Sequence, residues 1–178
     1  MAELISELQG NQIAAALIPC TVHLITARDD EGDCVATCAW VQAISHEPSM
    51  LAVSLRPGGR TANAMASSGC FCVNVLGEGS GKIAAVCGKK GPGQPDRFET
   101  AGLEKAPAKH IDAVRVEQAV SWLECELVES RVFGDHELFI GRVVAAQTRG
   151  SIDDDGKLQP APTLLMGQRG VWGTFSAE

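Results

Sequence analysis

The chain is 178 residues long, 45% hydrophobic, and carries a formal net charge of −7. A domain of that size buries roughly 70% of its unfolded surface, so one core suffices without a metal or disulfide staple. An acidic chain with no Lys/Arg cluster lacks the basic stripe that nucleic-acid binding needs, and no apolar run approaches the roughly 18 residues of a membrane span.

The opening places Glu3 and Glu7 where a secretory signal would carry basic residues, which predicts an unexported, cytoplasmic protein. Residues 21–27, Thr-Val-His-Leu-Ile-Thr-Ala, predict a strand; turn residues over 28–33 then lead into a second strand over 34–41, making a hairpin. A third strand is predicted over 50–55. The breaker Arg56-Pro57-Gly58-Gly59 follows, then a short helix over 61–67 with Thr61 as N-cap and Ser68-Gly69 as its stop. Residues 70–76 read as a strand and 82–87 as one or two helical turns. A Gly/Pro/Lys loop covers 88–95, and 96–109 is irregular or partly helical. Two long β-rich runs, 116–132 and 137–147, are joined by Phe133-Gly134-Asp135-His136 as a second hairpin. A polar loop over 151–159 precedes a last apolar piece around 163–166 and a tail containing Trp172.

Six or seven strands joined mainly by hairpins, with only short helices between them, predict a mainly β fold built as an antiparallel barrel. No repeat, linker or low-complexity tract interrupts the chain, so residues 1–178 read as one domain, with a core over about 19–147 and a C-terminal extension over about 148–178.

Seven cysteines would suggest disulfides in a secreted chain, but the count is odd and most lie inside apolar runs, so buried reduced thiols are expected. Cys34 and Cys38 are four apart and Cys70 and Cys72 two apart, neither of which is a zinc or ferredoxin spacing, so no metal is assigned. The run Gly77-Glu78-Gly79-Ser80-Gly81-Lys82 lacks the first glycine of a Walker loop, where Leu76 stands, and has Ile83 after the lysine; it reads as a surface turn. Asp153-Asp154-Asp155-Gly156 has Pro162 where a calcium loop needs its bidentate Glu. No G-x-S-x-G elbow supports a hydrolytic triad.

The stretch Ser54-Leu55-Arg56-Pro57-Gly58-Gly59-Arg60-Thr61 leaves a strand, turns on two glycines and enters a helix. Backbone N–H groups, a hydroxyl and guanidinium forks converge there, as a phosphate monoester requires. A polar turn with exposed arginines is the other reading.

That stretch sits in an ordered set of motifs: Val22 to Thr26 with its Asp-rich hairpin; Thr37-Cys38-Ala39-Trp40-Val41, then Ile44-Ser45-His46-Glu47-Pro48; Arg60-Thr61; Ser68-Gly69-Cys70-Phe71-Cys72-Val73-Asn74; Asp96-Arg97-Phe98; and Gly134-Asp135-His136 running to Gly141. From about Pro19 to Gly141 the whole resembles the flavin-reductase-like, FMN-binding split-barrel family, including its flavoredoxin branch. The resemblance implies an antiparallel Greek-key split β-barrel, FMN as cofactor, NADH or NADPH as electron donor, and a homodimer. It places Thr37, Cys38, Ala39 and Trp40 beneath the flavin and Ser54, Arg56, Arg60 and Thr61 at its phosphate. Asn74 and Arg97 join the cofactor site, His136 lies toward the nicotinamide or the subunit interface, and Trp172 is the C-terminal aromatic set against the flavin. Trp40 reads equally as a core aromatic, Asn74 as a residue satisfying buried backbone groups, and 134–136 as a plain hairpin turn. Many relatives have Ser or Asn where Cys38 stands, so a thiol or backbone contact replaces that hydrogen bond.

The implied activity is an NAD(P)H-dependent flavin reductase that passes electrons through FMN to free flavin, iron or another acceptor. The rival is a one-flavin electron carrier reduced by a protein partner.

Overall fold

The structure is a computed structural model and describes residues 6–89, 96–167 and 171–175. Helix α1 (Asn11–Ala15) leads into the two-residue strand β1 (Cys20–Thr21). β2 (His23–Asp29) and β3 (Gly32–Cys38) form the first hairpin, with Asp29 paired to Gly32 so that only Asp30 and Glu31 make the turn. β4 (Val41–His46) and β5 (Ser49–Leu55) precede α2 (Arg60–Ser68), which Gly69 ends in the left-handed conformation before β6 (Cys70–Leu76). α3 (Gly81–Cys87), α4 (Arg97–Ala101) and the short pair β7 (Lys105–Pro107) and β8 (Val114–Val116) follow. The longest hairpin joins β9 (Ala119–Phe133) to β10 (His136–Thr148). β11 (Ser151–Ile152) pairs with β12 (Leu158–Gln159), and β13 (Thr163–Met166) pairs with both β1 and β14 (Trp172–Phe175).

Seven strands make one sheet in the order β3-β2-β6-β9-β10-β5-β4, every pairing antiparallel. β3 and β4 are consecutive in the chain yet lie at opposite edges, so the sheet curls until its edges meet. Ala39 and Trp40 carry the chain across that seam, where the Ser54 N–H donates to the Trp40 carbonyl at 2.9 Å. This is the mainly β, Greek-key split barrel expected from the sequence. Residues 34–41 are not the single strand expected, because β3 stops at Cys38 and Val41 already belongs to the opposite edge, and the loop expected over 151–159 carries the short pair β11 and β12.

Side-chain alternation sorts the two faces. Cys34 and Cys38 point inward with Ile25, Val53, Phe71 and Phe139, and α2 closes the barrel with Ala62, Ala64 and Met65. Val22, Leu24, Val35 and Leu76 point outward and are covered by α3, by Phe98 of α4 and by Leu164 of β13. Each such side chain, fully buried, stabilises the fold by about 1.5–3 kcal/mol. The C-terminal extension therefore supplies part of the outer core.

All seven cysteines are free and six are buried; burial pushes the Cys38 and Cys87 thiols up to about 11. Among the described residues no helix is long and apolar enough to cross a membrane, and no three His, Cys, Asp or Glu side chains gather as a metal site. The Gly/Pro/Lys loop expected over 88–95 lies outside the described residues from 90 onward.

Candidate functional site

The seam of the barrel is also where polar and aromatic groups stay open. β10 pairs with β5 so that Leu138 lies opposite Ser54, which brings the β9–β10 turn beyond the end of β5, beside Arg56. Gly134 makes that turn possible with φ 59, in the left-handed region. Trp40, Ser54, Phe133, Asp135, His136 and Leu138 line the resulting groove of about 420 Å³. Trp40 is 47% exposed, and its ring lies 4.6 Å from that of His136 at a tilt of 41°. The His136 Nδ1–H donates to the Asp135 carboxylate at 2.8 Å, a bond that holds the Asp135 carboxyl below the usual carboxylate range. The other Asp135 oxygen is 3.6 Å from the Arg56 guanidinium, so Arg56 is a loosely held cation at the mouth of the groove. With Nδ1 taken, Nε2 is the ring nitrogen left to exchange a proton.

Four residues past Leu55 the chain enters α2. Its N-cap is Gly59, not Thr61, because the break from extended backbone falls at Gly59. The first turn has no acidic residue and no side-chain cap, so its N–H groups remain open to an anion. Arg60 stands at the first helical position, with its Nε and NH2 both donating to Asp29 at 2.8 Å. Beside it, Asp29, Asp30, Glu31, Gly58, Asn63 and Ser67 line a second groove, between α2 and the first hairpin. Arg60 in turn holds the Asp29 carboxyl below its ordinary range.

The remaining motif residues lie elsewhere. The Thr37 hydroxyl donates to the Ala84 carbonyl at 2.7 Å and so ties β3 to α3, while Arg97, at the start of α4, joins Val35 O of β3 at 2.9 Å to Lys89 O, just past α3, at 2.6 Å. The Cys38 thiol faces the barrel interior, donating to Trp40 O and Ser54 O, which leaves only the backbone of Cys38 and Ala39 at the seam. The Thr61 side chain is buried against Cys34. Asn74 is 0% exposed; its amide donates to Leu24 O, Thr26 Oγ1 and Cys72 O and accepts from Val116 N. It is thereby the residue that satisfies buried backbone groups, and its burial keeps it from a ligand. Trp172 packs over Gly81, at the start of α3, and against the outer core. Trp40, by contrast, is no core aromatic. Asp29, in the Asp-rich hairpin, and Asp135, in the Gly-Asp-His motif, hold the two arginines and His136 but were given no site role by the sequence, and Phe133 and Leu138 carried none as groove residues.

The family model described as Flavin reductase like domain matches residues 15–172. The NADH-dependent FMN reductase AsuE2 of Streptomyces nodosus subsp. asukaensis is 32% identical over 165 residues, covering 91% of this chain and 82% of that protein. HsaB of Mycobacterium tuberculosis, the reductase subunit of a flavin-dependent monooxygenase, is 28% identical over 147 residues, 82% of this chain and 72% of its own. Among solved structures, an FMN-binding protein from Thermus thermophilus with bound 1-cyclohex-2-enone aligns with a TM-score of 0.81 and 24% identity over 100% of this chain and 97% of its own, a likeness of fold. With the match spanning nearly the whole chain and the split barrel beneath it, the chain belongs to the flavin reductase like domain family.

Proposed function

We propose that this chain is an NADH-dependent FMN reductase working as a homodimer. The observation that carries the reading is the seam itself: an aromatic-walled groove one short turn away from an uncapped helix start that bears Arg60 and is preceded by Arg56. These features fit FMN. Trp40, Phe133 and Leu138 offer a planar ring an apolar wall, and the first turn of α2 offers a phosphate free N–H donors without a competing side chain. Ser54 lines the same groove, its N–H bonded to the Trp40 carbonyl.

When bound, the flavin accepts a hydride and returns one or two electrons. The chain's own residues hold and shield it. Trp40 and Leu138 would keep water from one side of the groove, Arg56 and Arg60 would hold the phosphate, and His136, its Nδ1–H held by Asp135, would leave Nε2 facing the bound ligand. AsuE2, named as NADH-dependent, favours NADH as donor, and HsaB, a reductase subunit, favours a partner flavoenzyme as acceptor.

The long hairpin supports the homodimer reading. β6 pairs with β9 from Leu76 to Cys70, opposite Ala119 to Glu126, so among the described residues β9 beyond Leu127 keeps one unpaired edge. Val128, Val132 and Phe133 are exposed on that segment, and Ile44 is exposed on β4. An open edge with apolar side chains is covered in a stable protein.

The test is anaerobic. Purified protein should carry or take up about one FMN per chain, and NADH should bleach the flavin absorption faster than NADPH does. Protein that ignores added FMN overturns the reading, and a flavoprotein that neither nucleotide bleaches is a carrier reduced by a protein partner. Light scattering at the monomer mass in the presence of FMN removes the dimer.

A further inference from the structure

We infer that Asp29 is a positioning residue for the flavin phosphate: it holds the Arg60 guanidinium as a fixed fork beside the first turn of α2. The inference rests on the reading of Arg60 as a phosphate ligand, and it goes beyond that reading by naming what aims the ligand.

The geometry begins in the hairpin. The two-residue turn between β2 and β3 makes Asp29 the last residue of its strand, where its Oδ1 accepts the Glu31 N–H at 3.0 Å. Its side chain is 22% exposed against 47% for Arg60, so the carboxylate is the anchored partner and the guanidinium the one that is aimed. Nε and NH2 of Arg60 bond Asp29 side-on, with a longer NH2 contact of 3.4 Å to Gly32 O. NH1 has no protein acceptor among the described residues. A guanidinium has five N–H donors, so one edge can stay on Asp29 while the other meets a phosphate. The two acceptors do not compete for the same hydrogens.

Two opposed effects act at such a position. Asp29 places a negative charge near the phosphate, which weakens binding, but Arg60 neutralises that charge through a bidentate bond. Glu31, at 3.9 Å, is 81% exposed and therefore screened by solvent. Against this, a free arginine side chain loses rotamer freedom when it grips a phosphate, and Asp29 has already removed that freedom. The orientation effect is the larger, so losing Asp29 weakens FMN binding.

The experiment titrates the full-length protein with FMN and with riboflavin, which lacks the phosphate, and reads flavin fluorescence. Asp29→Ala should weaken FMN about two- to tenfold and leave riboflavin within about twofold. In an Arg60→Ala background the same change should have no further effect on the FMN-to-riboflavin ratio, since Asp29 acts only through Arg60. Asp29→Asn, which keeps the side-chain shape and one acceptor, supplies the measurement if the alanine variant folds poorly. A ratio that shifts in Arg60→Ala but not in either Asp29 variant overturns this inference alone. Tighter FMN binding on loss of Asp29 also overturns it. A ratio unmoved by Arg60→Ala overturns the phosphate reading as well, so the two failures are distinct.

Discussion

On the outer face of the barrel, Asn74 makes four hydrogen bonds, Thr37 and Arg97 end on backbone carbonyls, and Trp122 is 9% exposed with its Nε1–H on Val116 O. At the seam, Trp40 stands nearly half exposed, Arg56 has one carboxylate at 3.6 Å, and the α2 start has no cap. The same residue types thus do two jobs. Where every donor and acceptor closes on backbone, the side chain holds strands in register; where valences stay open beside an apolar wall, the side chain is free to bind. Substitutions on the two faces should therefore separate stability from flavin affinity.

The largest effect is expected on the outer face. Asn74→Ala strips partners from Val116 N–H and Leu24 C=O, and each orphaned buried group costs about 1–3 kcal/mol. A urea titration should show about 4 kcal/mol lost, while flavin affinity of the remaining folded protein holds. Loss of affinity out of proportion to unfolding would break the division between the faces.

Next comes His23, which is 7% exposed, with Nδ1 3.3 Å from Cys38 O. Burial pushes its pKa from the ordinary 6.5 down to about 4. The folded state therefore disfavours the proton that the unfolded chain binds below 6.5, so stability is intact above that pH and falls as pH drops from 6.5 toward 4. The loss should be on the order of 3 kcal/mol, and His23→Gln should flatten it. An unchanged slope in the variant would assign the acid sensitivity to other groups.

Much of this was legible in the chain. Residues 70–76 are the strand expected, because Cys-Phe-Cys-Val-Asn-Val-Leu is apolar on both faces save for Asn74, and all of it but Val75 is buried. The Gly134-Asp135 turn was equally plain. β4 was missed, since Val-Gln-Ala-Ile-Ser-His is mostly exposed and pairs only along the β5 edge. Thr61 is not the cap because the N-cap falls two residues earlier, at Gly59, which makes Thr61 the second helical residue and buries it. The site was legible as motifs and not as contacts: Asp29 meets Arg60 across 31 positions, and Trp40 meets His136 only because the sheet closes. No local pattern encodes a closure made by seven strands.

The third effect lies at the seam. Arg60→Ala removes a charged hydrogen bond to the phosphate, worth about 1.5–3 kcal/mol, so FMN should bind about 10- to 150-fold more weakly while riboflavin barely changes. Equal weakening of both ligands would mean that Arg60 only latches α2 to the first hairpin through Asp29. In that outcome Arg56, with its looser partner, becomes the phosphate ligand to test.

The smallest effect sharpens the comparison most, because it sets two tryptophans against each other. Trp40 and Trp122 are chemically identical, and a count of aromatics would weigh them alike. Trp122 is walled in by Arg115 and Arg149, whose guanidiniums lie 5.3 and 5.1 Å from its ring, so truncating it removes packing and leaves Val116 O without a donor. Trp40 touches His136 with one face and has neither constraint. Trp40→Ala should therefore leave the urea midpoint nearly unchanged. It should weaken flavin binding by about 0.5–1.5 kcal/mol, the range of an aromatic pair, which is about two- to tenfold. Because the ring and not the phosphate is what it contacts, FMN and riboflavin should weaken together, the opposite of Arg60→Ala. A Trp40→Ala protein that loses stability but keeps its flavin affinity would make the exposed indole a structural residue and move the ring site away from the seam.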